Sequence, residues 1–152
     1  MTTLSAEATN FNWLLGNFSK RVPGVRHTLV VSADGLLMAM SDEMNRTSAD
    51  RMAALVAGIA SLTRGAARQL NAGGMRQAIV EMDRLLLFTT NVSDGSILAV
   101  VADATADVGL VGYEMALLVA RAEASMTPQL IAEMRSRLPV ESVGSQRGAG
   151  EP

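Results

Sequence analysis

Residues Thr47–Gly74 constrain the chain more than any other stretch. They read as one long helix from about Ser48 to Leu70. Thr47 followed three residues later by Asp50 has the spacing of a capping box. Asn71-Ala72-Gly73-Gly74 supplies residues that accept the left-handed conformation of a helix end. At about 100° per residue, Met52, Leu55, Ile59, Leu62, Ala66 and Leu70 share one side, the expected core face. Ala54, Gly58, Ser61 and Gly65 form a second stripe of small residues, a quarter-turn or more away. Each interior glycine costs about 1 kcal/mol relative to alanine, so this stripe points to a backbone that another helix approaches closely. The same helix of a second copy is the expected neighbour, and a helix of the same chain is the alternative.

The chain has 152 residues, enough for one domain that buries about two-thirds of its unfolded surface. Hydrophobic residues make up 49% but aromatics only 3%, so the core must be aliphatic, with ten methionines to fill irregular gaps. The absence of cysteine excludes disulfides, thiolate metal sites and cysteine nucleophiles. A net charge of −2 gives no support for nucleic-acid binding. Glu7 stands early and no basic segment leads into an apolar run, so no signal peptide is read. The best apolar run, Leu110–Ala120, is interrupted by Glu114 and is shorter than the ~20 residues of a membrane span. A cytoplasmic chain without membrane insertion is expected.

In chain order, Leu4 to Lys20 reads as a first helix, with Phe11, Leu14, Leu15 and Phe18 on one side and Trp13 off it. Val22-Pro23-Gly24 breaks it. Val25–Ser32 and Leu36–Met40 read as strands joined by Ala33-Asp34-Gly35, a strong hairpin signal. Their nearly continuous apolar character argues for a sheet covered on both faces. After Gly74 come three further strands, Met75–Met82, Leu85–Val92 and Ser96–Ala102, whose short connections require antiparallel neighbours. The first of them carries Arg76, Gln77 and Glu81, a polarity suited to an edge. A last long helix runs from Val108 to about Ala122. Its Gly109, Gly112 and Ala116 are expected to lie on the sheet, with Leu110, Tyr113, Leu117 and Leu118 extending its apolar side. Pro128 opens another helical turn or two, at its preferred first position. Residues 1–138 are read as the folded domain and 139–152 as a disordered tail. The fold class is α/β of the layered α+β kind: a five-stranded antiparallel sheet, the long helix on one face and the N- and C-terminal helices on the other.

A search for chemistry finds little. His27 is the only histidine, sits among strand residues, and has no second histidine with which to make a metal pair. Asp34, Asp83 and Asp94 fall at turns, and Asp50 and Asp107 at helix starts, where turn and cap duties account for them. Ser32 and Ser96 have no histidine partner at a suggestive spacing. Gly73-Gly74 precedes a strand, so it is not a phosphate-cradling loop. No catalytic residue, cofactor or metal is assigned, and the chain is read as no enzyme.

Val22-Pro23-Gly24-Val25, Ser32-Ala33-Asp34-Gly35-Leu36 and Gly109-Leu110-Val111-Gly112-Tyr113-Glu114-Met115, in this order and around an Ala/Gly-rich middle helix, resemble the roadblock family of dynein-light-chain-like domains. The resemblance spans about residues 5 to 135. Within the family it resembles the bacterial members found in actinobacterial conservon clusters. It implies a roadblock/profilin-like fold and a homodimer in which the long helices pack together and the third strands join into one sheet. It also implies a role as adaptor or regulator of a Ras-like small GTPase, beside a sensor-kinase-like protein. The dimer interface is expected at Ala54, Gly58, Ser61 and Gly65 of the helix and Arg76, Ala78 and Val80 of the third strand. Asp50, Arg64 and Arg68, projected opposite the core stripe, are the expected partner surface. The alternative function is a profilin-like small-molecule sensor, which would need converging polar groups in a cavity. An Ala, Val, Leu and Met core disfavours it.

Overall fold

The computed structural model describes residues 6–41, 44–92, 95–125 and 128–137. The elements are α1 (Ala6–Arg21), β1 (Val25–Val31), β2 (Leu37–Met40), α2 (Arg46–Gln69), β3 (Gln77–Glu81), β4 (Leu85–Asn91), β5 (Ile97–Asp103), α3 (Val108–Ser125) and α4 (Pro128–Arg137). The anticipated disordered tail and the Phe11 side chain lie outside the described residues and side chains. No helix among the described residues is long and apolar enough to cross a membrane.

The five strands form one antiparallel sheet in the order β2-β1-β5-β4-β3. The β1–β2 hairpin and the β3–β4–β5 meander are welded by β1 against β5, from Val25↔Ala102 to Val31↔Ile97. Ser32 closes the hairpin. Its hydroxyl donates to Asp34 and accepts the Leu36 amide at 3.0 Å, and Gly35 takes φ +90°. Gly24 is required at the other end of β1. Its φ is +87°, and a Cβ there would lie 2.7 Å from the Ala106 Cβ.

Both faces of the sheet are covered, which is why β1 and β5 do not alternate cleanly in hydrophobicity. On one face, Val30, Met38, Phe88, Leu98 and Val100 pack with Leu15 and Phe18 of α1 and Val111, Met115 and Leu118 of α3. On the other, Leu29, Val31, Leu37, Leu87, Ile97 and Val101 meet α2. The long helix on one face and α1 and α3 on the other are as the sequence suggests. α4 packs beside β2 and α1.

The phase of α2 is not as expected. Ala49, Ala53, Val56 and Ala60 are its buried residues. Leu55, Leu62 and Leu70, assigned above to the core face, are 60%, 77% and 75% exposed. Met52 and Ile59 are half-buried at one flank and Ala66 is exposed. The sheet explains the choice. Its face already presents large aliphatic side chains, so a row of alanines lets the helix axis come close. The cap also moves. Asn45 caps α2, its Oδ1 accepting the Ser48 amide at 2.9 Å, two residues before the anticipated Thr47. The C-terminal end uses positive φ at Asn71 and Gly73.

The same correction applies to α3. Its sheet-facing residues are Val111, Met115, Leu118 and Ala122. Gly109 and Ala116, assigned above to the sheet, are exposed, Gly112 is half-buried, and Leu110, Tyr113 and Leu117 point outward. The helix is apolar nearly all round, so hydrophobicity alone could not select the side that faces the sheet. Asp107 caps it, accepting the Leu110 amide at 3.0 Å.

The inverted phase of α2 is testable by unfolding in urea. Ala53→Leu overpacks the helix–sheet seam and should cost about 1–3 kcal/mol. Asn45→Ala removes the cap and should cost about 1 kcal/mol, with Thr47→Ala nearly silent.

Candidate self-association and partner surface

The β1–β2 turn fixes which way each flank of α2 looks. A Cβ on Gly35 would lie 3.6 Å from the Ala57 Cβ and 3.9 Å from the Ala54 Cα. The Ala54–Ala57 flank therefore overlooks the hairpin, at the β2 side of the sheet. In helical projection Met52, Ile59 and Ala66 occupy the opposite flank. Given the strand order, that flank looks across β5 and β4 toward the β3 edge. Leu55, Leu62 and Gly58 crown the helix between the two flanks.

The sheet continues this apolar surface. Val80 pairs with Leu87 and Ala78 with Thr89. Leu87 belongs to the α2-side core, so Val80 and Ala78 lie on that side as well. Leu85 and Met75 are partly buried against the same core, and Val80 is 37% exposed. An apolar strip thus runs from Leu55 and Leu62 down over Ile59 to Leu85 and Val80, and it ends at an open strand edge.

That edge has a defined polarity. The Met82 amide donates to the Leu85 carbonyl at 2.9 Å. By the alternation of an antiparallel ladder, Ala78 and Val80 also turn their amides to β4, while Gln77, Ile79 and Glu81 turn theirs outward. Ile79 is 44% exposed and Met82 likewise, so the edge carries apolar side chains beside its outward-turned amides.

Ala54, Gly58 and Ser61 are exposed and Gly65 half-buried. Nothing lies within 4 Å of a Cβ built on Gly58 or Gly65, so no element described in this chain makes the close approach that the small stripe suggested. Arg76 is exposed at the entry to β3, where its carbonyl accepts the Thr90 hydroxyl at 2.8 Å. Asp50, Arg64 and Arg68 do not stand opposite the core. They project about 50–90° from its centre, on the flank above the hairpin, because the core face itself is rotated. Arg64 is half-buried, and the Asp50 carboxylate holds Arg46 at 3.0 Å. Two features escaped sequence reasoning. The leucines of α2 face outward, and Arg51 is exposed near the crown. A count of charges along α2 would have shown four arginines against one acid.

Of the residues considered for chemistry, Ser32, Asp34 and Asp107 serve the fold. The Ser32 hydroxyl and Asp34 carboxylate belong to the hairpin. His27 is half-buried in β1 beside Val101 on the α2 side.

A Roadblock/LC7 domain family model matches residues 11–102. The chain belongs to this family. A solved roadblock domain from Streptomyces avermitilis is 38% identical, over 74% of this chain and 94% of its own, with a TM-score of 0.71. MglB from Myxococcus xanthus superimposes with a TM-score of 0.72 at 18% identity, over 84% of this chain and 98% of its own. The gliding protein MglB of Thermus thermophilus gives 0.71 at 20%, over 82% and 94%. At those identities the two MglB structures share the fold. No protein with a curated functional description matches. The match to the family ends at the last strand of this roadblock domain, so α3 lies beyond it.

The edge polarity can be checked in dilute solution by urea unfolding. Ala78→Pro deletes an amide that β4 uses and should cost about 1 kcal/mol or more. Ile79→Pro deletes an amide that faces outward and should cost clearly less.

Proposed function

We propose that this roadblock domain is a homodimeric, non-enzymatic regulator of a Ras-like small GTPase in a bacterial signalling system, working in the cytoplasm beside a sensor-kinase-like protein. The observation that carries the dimer is the apolar strip from Leu55 and Leu62 of α2 to Val80 at the open β3 edge. A two-fold axis beside that edge lets the strip cover its own copy, helix on helix, while the outward amides of Gln77, Ile79 and Glu81 pair across it. Such an isologous contact satisfies the exposed edge and the exposed leucines together. In this arrangement the dimer contact on α2 is the leucine-bearing flank, with Gly58 at its margin, and Ala54 and Ser61 stay on the hairpin side.

Support for the GTPase comes from family membership and from charge. The dimer would present two α2 helices on one surface, each with Arg46, Arg51, Arg64 and Arg68 against Asp50 alone. Basic rims of this kind speed encounter with an acidic partner more than they deepen its affinity.

Sedimentation equilibrium tests the dimer. Leu55→Glu with Leu62→Glu should yield folded monomers, and Ile79→Pro should weaken association while leaving the circular dichroism unchanged. A double-Glu variant that still dimerises would place the interface elsewhere.

The partner is tested with the Ras-like GTPases of the same genome, each loaded with a GTP analogue. Arg51→Glu with Arg68→Glu should slow association, most at low salt, without dissolving the dimer. Arg64→Ala and Arg68→Ala should leave single-turnover GTP hydrolysis at saturation within a few-fold. An arginine finger would instead cost about 10³–10⁵.

A further inference from the structure

The open β3 edge is complementary to itself. Its outward amides belong to Gln77, Ile79 and Glu81, with Ile79 midway between the other two. Ala78 and Val80 lie on the α2 side, so alternation puts Gln77, Ile79 and Glu81 on the α3 side. A contact with α3 agrees with that side for Gln77. A Cβ built on Gly112 would have the Gln77 Nε2 at 3.7 Å and Oε1 at 3.9 Å as its nearest neighbours. Gly112 thus leaves room for the Gln77 amide, which rests against the helix flank and remains exposed. Glu81 is exposed as well and has no ion pair among the described residues.

We propose that Gln77 and Glu81 set the register of β3 against its copy and make a second copy of this chain the strand that fits there. About a two-fold axis through Ile79, the Gln77 amide of each chain donates to the Glu81 carboxylate of the other. Both faces of the strand agree with that axis. On the α3 side, Ile79 meets Ile79 between the two amide–carboxylate pairs. On the α2 side, Ala78 meets Val80, small against large in both directions. An axis through Ala78 would set Gln77 against Ile79 and carry Glu81 past the end of the partner strand. An axis through Val80 would set Glu81 against Ile79 and do the same to Gln77. Only the axis through Ile79 pairs all three outward residues.

The pairs exist only across the edge. Four residues of strand separate Gln77 from Glu81 in one chain by about 13 Å, beyond hydrogen-bonding reach. A strand that lacks a carboxylate opposite Gln77 or a donor opposite Glu81 forfeits the contacts, and one with a carboxylate opposite Glu81 is repelled. The edge is thereby open to its own copy and guarded against other strands. Gly112 is a positioning residue in this device, because it holds the place of the Gln77 amide. The inference rests on the α2–β3 dimer proposed above and adds the residues that decide its register.

Sedimentation equilibrium of the full chain tests it. Gln77→Glu sets carboxylate against carboxylate at both pairs and should raise the dimer dissociation constant about tenfold, with unchanged circular dichroism. Gln77→Glu with Glu81→Gln exchanges the two partners at constant net charge and should return it to within about twofold of wild type. Gly112→Leu should weaken the dimer as much as Gln77→Ala does, about threefold, and the two together no further. A wild-type dimer indifferent to Gln77→Glu, or one that the exchange fails to restore, overturns the proposal. If that dimer still dissociates with Leu55→Glu and Leu62→Glu, the α2 contact stands without this register. A wild type monomeric throughout overturns both.

Discussion

Alanine on one side of a 24-residue helix, set against large aliphatic side chains on the sheet, is the contact that organises this molecule. Ala49, Ala53, Val56 and Ala60 let α2 lie close to Leu29, Val31, Ile97 and Val101. A helix held by its small side must turn its large side elsewhere. Leu55 and Leu62 are thereby left in solvent, at an energetic cost that burying them against a second surface would offset. The division of labour along one helix fills the helix–sheet seam with few large residues and leaves an apolar flank on the outside.

The sheet completes that logic. Pairing β1 with β5 puts the meander's first strand, β3, at one edge, while β2 sits at the other with α4 packed beside it. The open edge is on the side toward which the apolar flank of α2 looks. An open edge and an apolar helix flank are separate liabilities. Placed side by side, they become one surface that a single symmetric contact can close. Polar side chains that might have suggested catalysis are spent on architecture: Ser32 and Asp34 on the hairpin, Asn45 and Asp107 on helix starts, Arg26 on Asp103.

Most of the fold was legible in the chain. The glycines of the hairpin and of the α2 terminus, the β-branched runs and the short connections located the described elements with bounds accurate to a few residues. The exposed third strand was readable from Arg76, Gln77 and Glu81. The surface was less legible. The positions of Asp50, Arg64 and Arg68 depend on which face of α2 meets the sheet, and periodicity alone does not select that face. Side-chain hydrophobicity points the leucines inward, whereas the sheet takes the alanines.

Periodicity is what the chain carries without help: where helices and strands begin and end, and which residues share a side. A repeat of 3.6 or 2 residues is a property of the local backbone, so it survives without knowledge of neighbours. Phase, meaning which of two apolar sides of α2 and of α3 meets the sheet, was settled only by packing in three dimensions. That choice turns on the volume available between helix and sheet. Large residues on β1, β4 and β5 fill it from below, so α2 contributes alanine, and its leucines are left for whatever covers the outside.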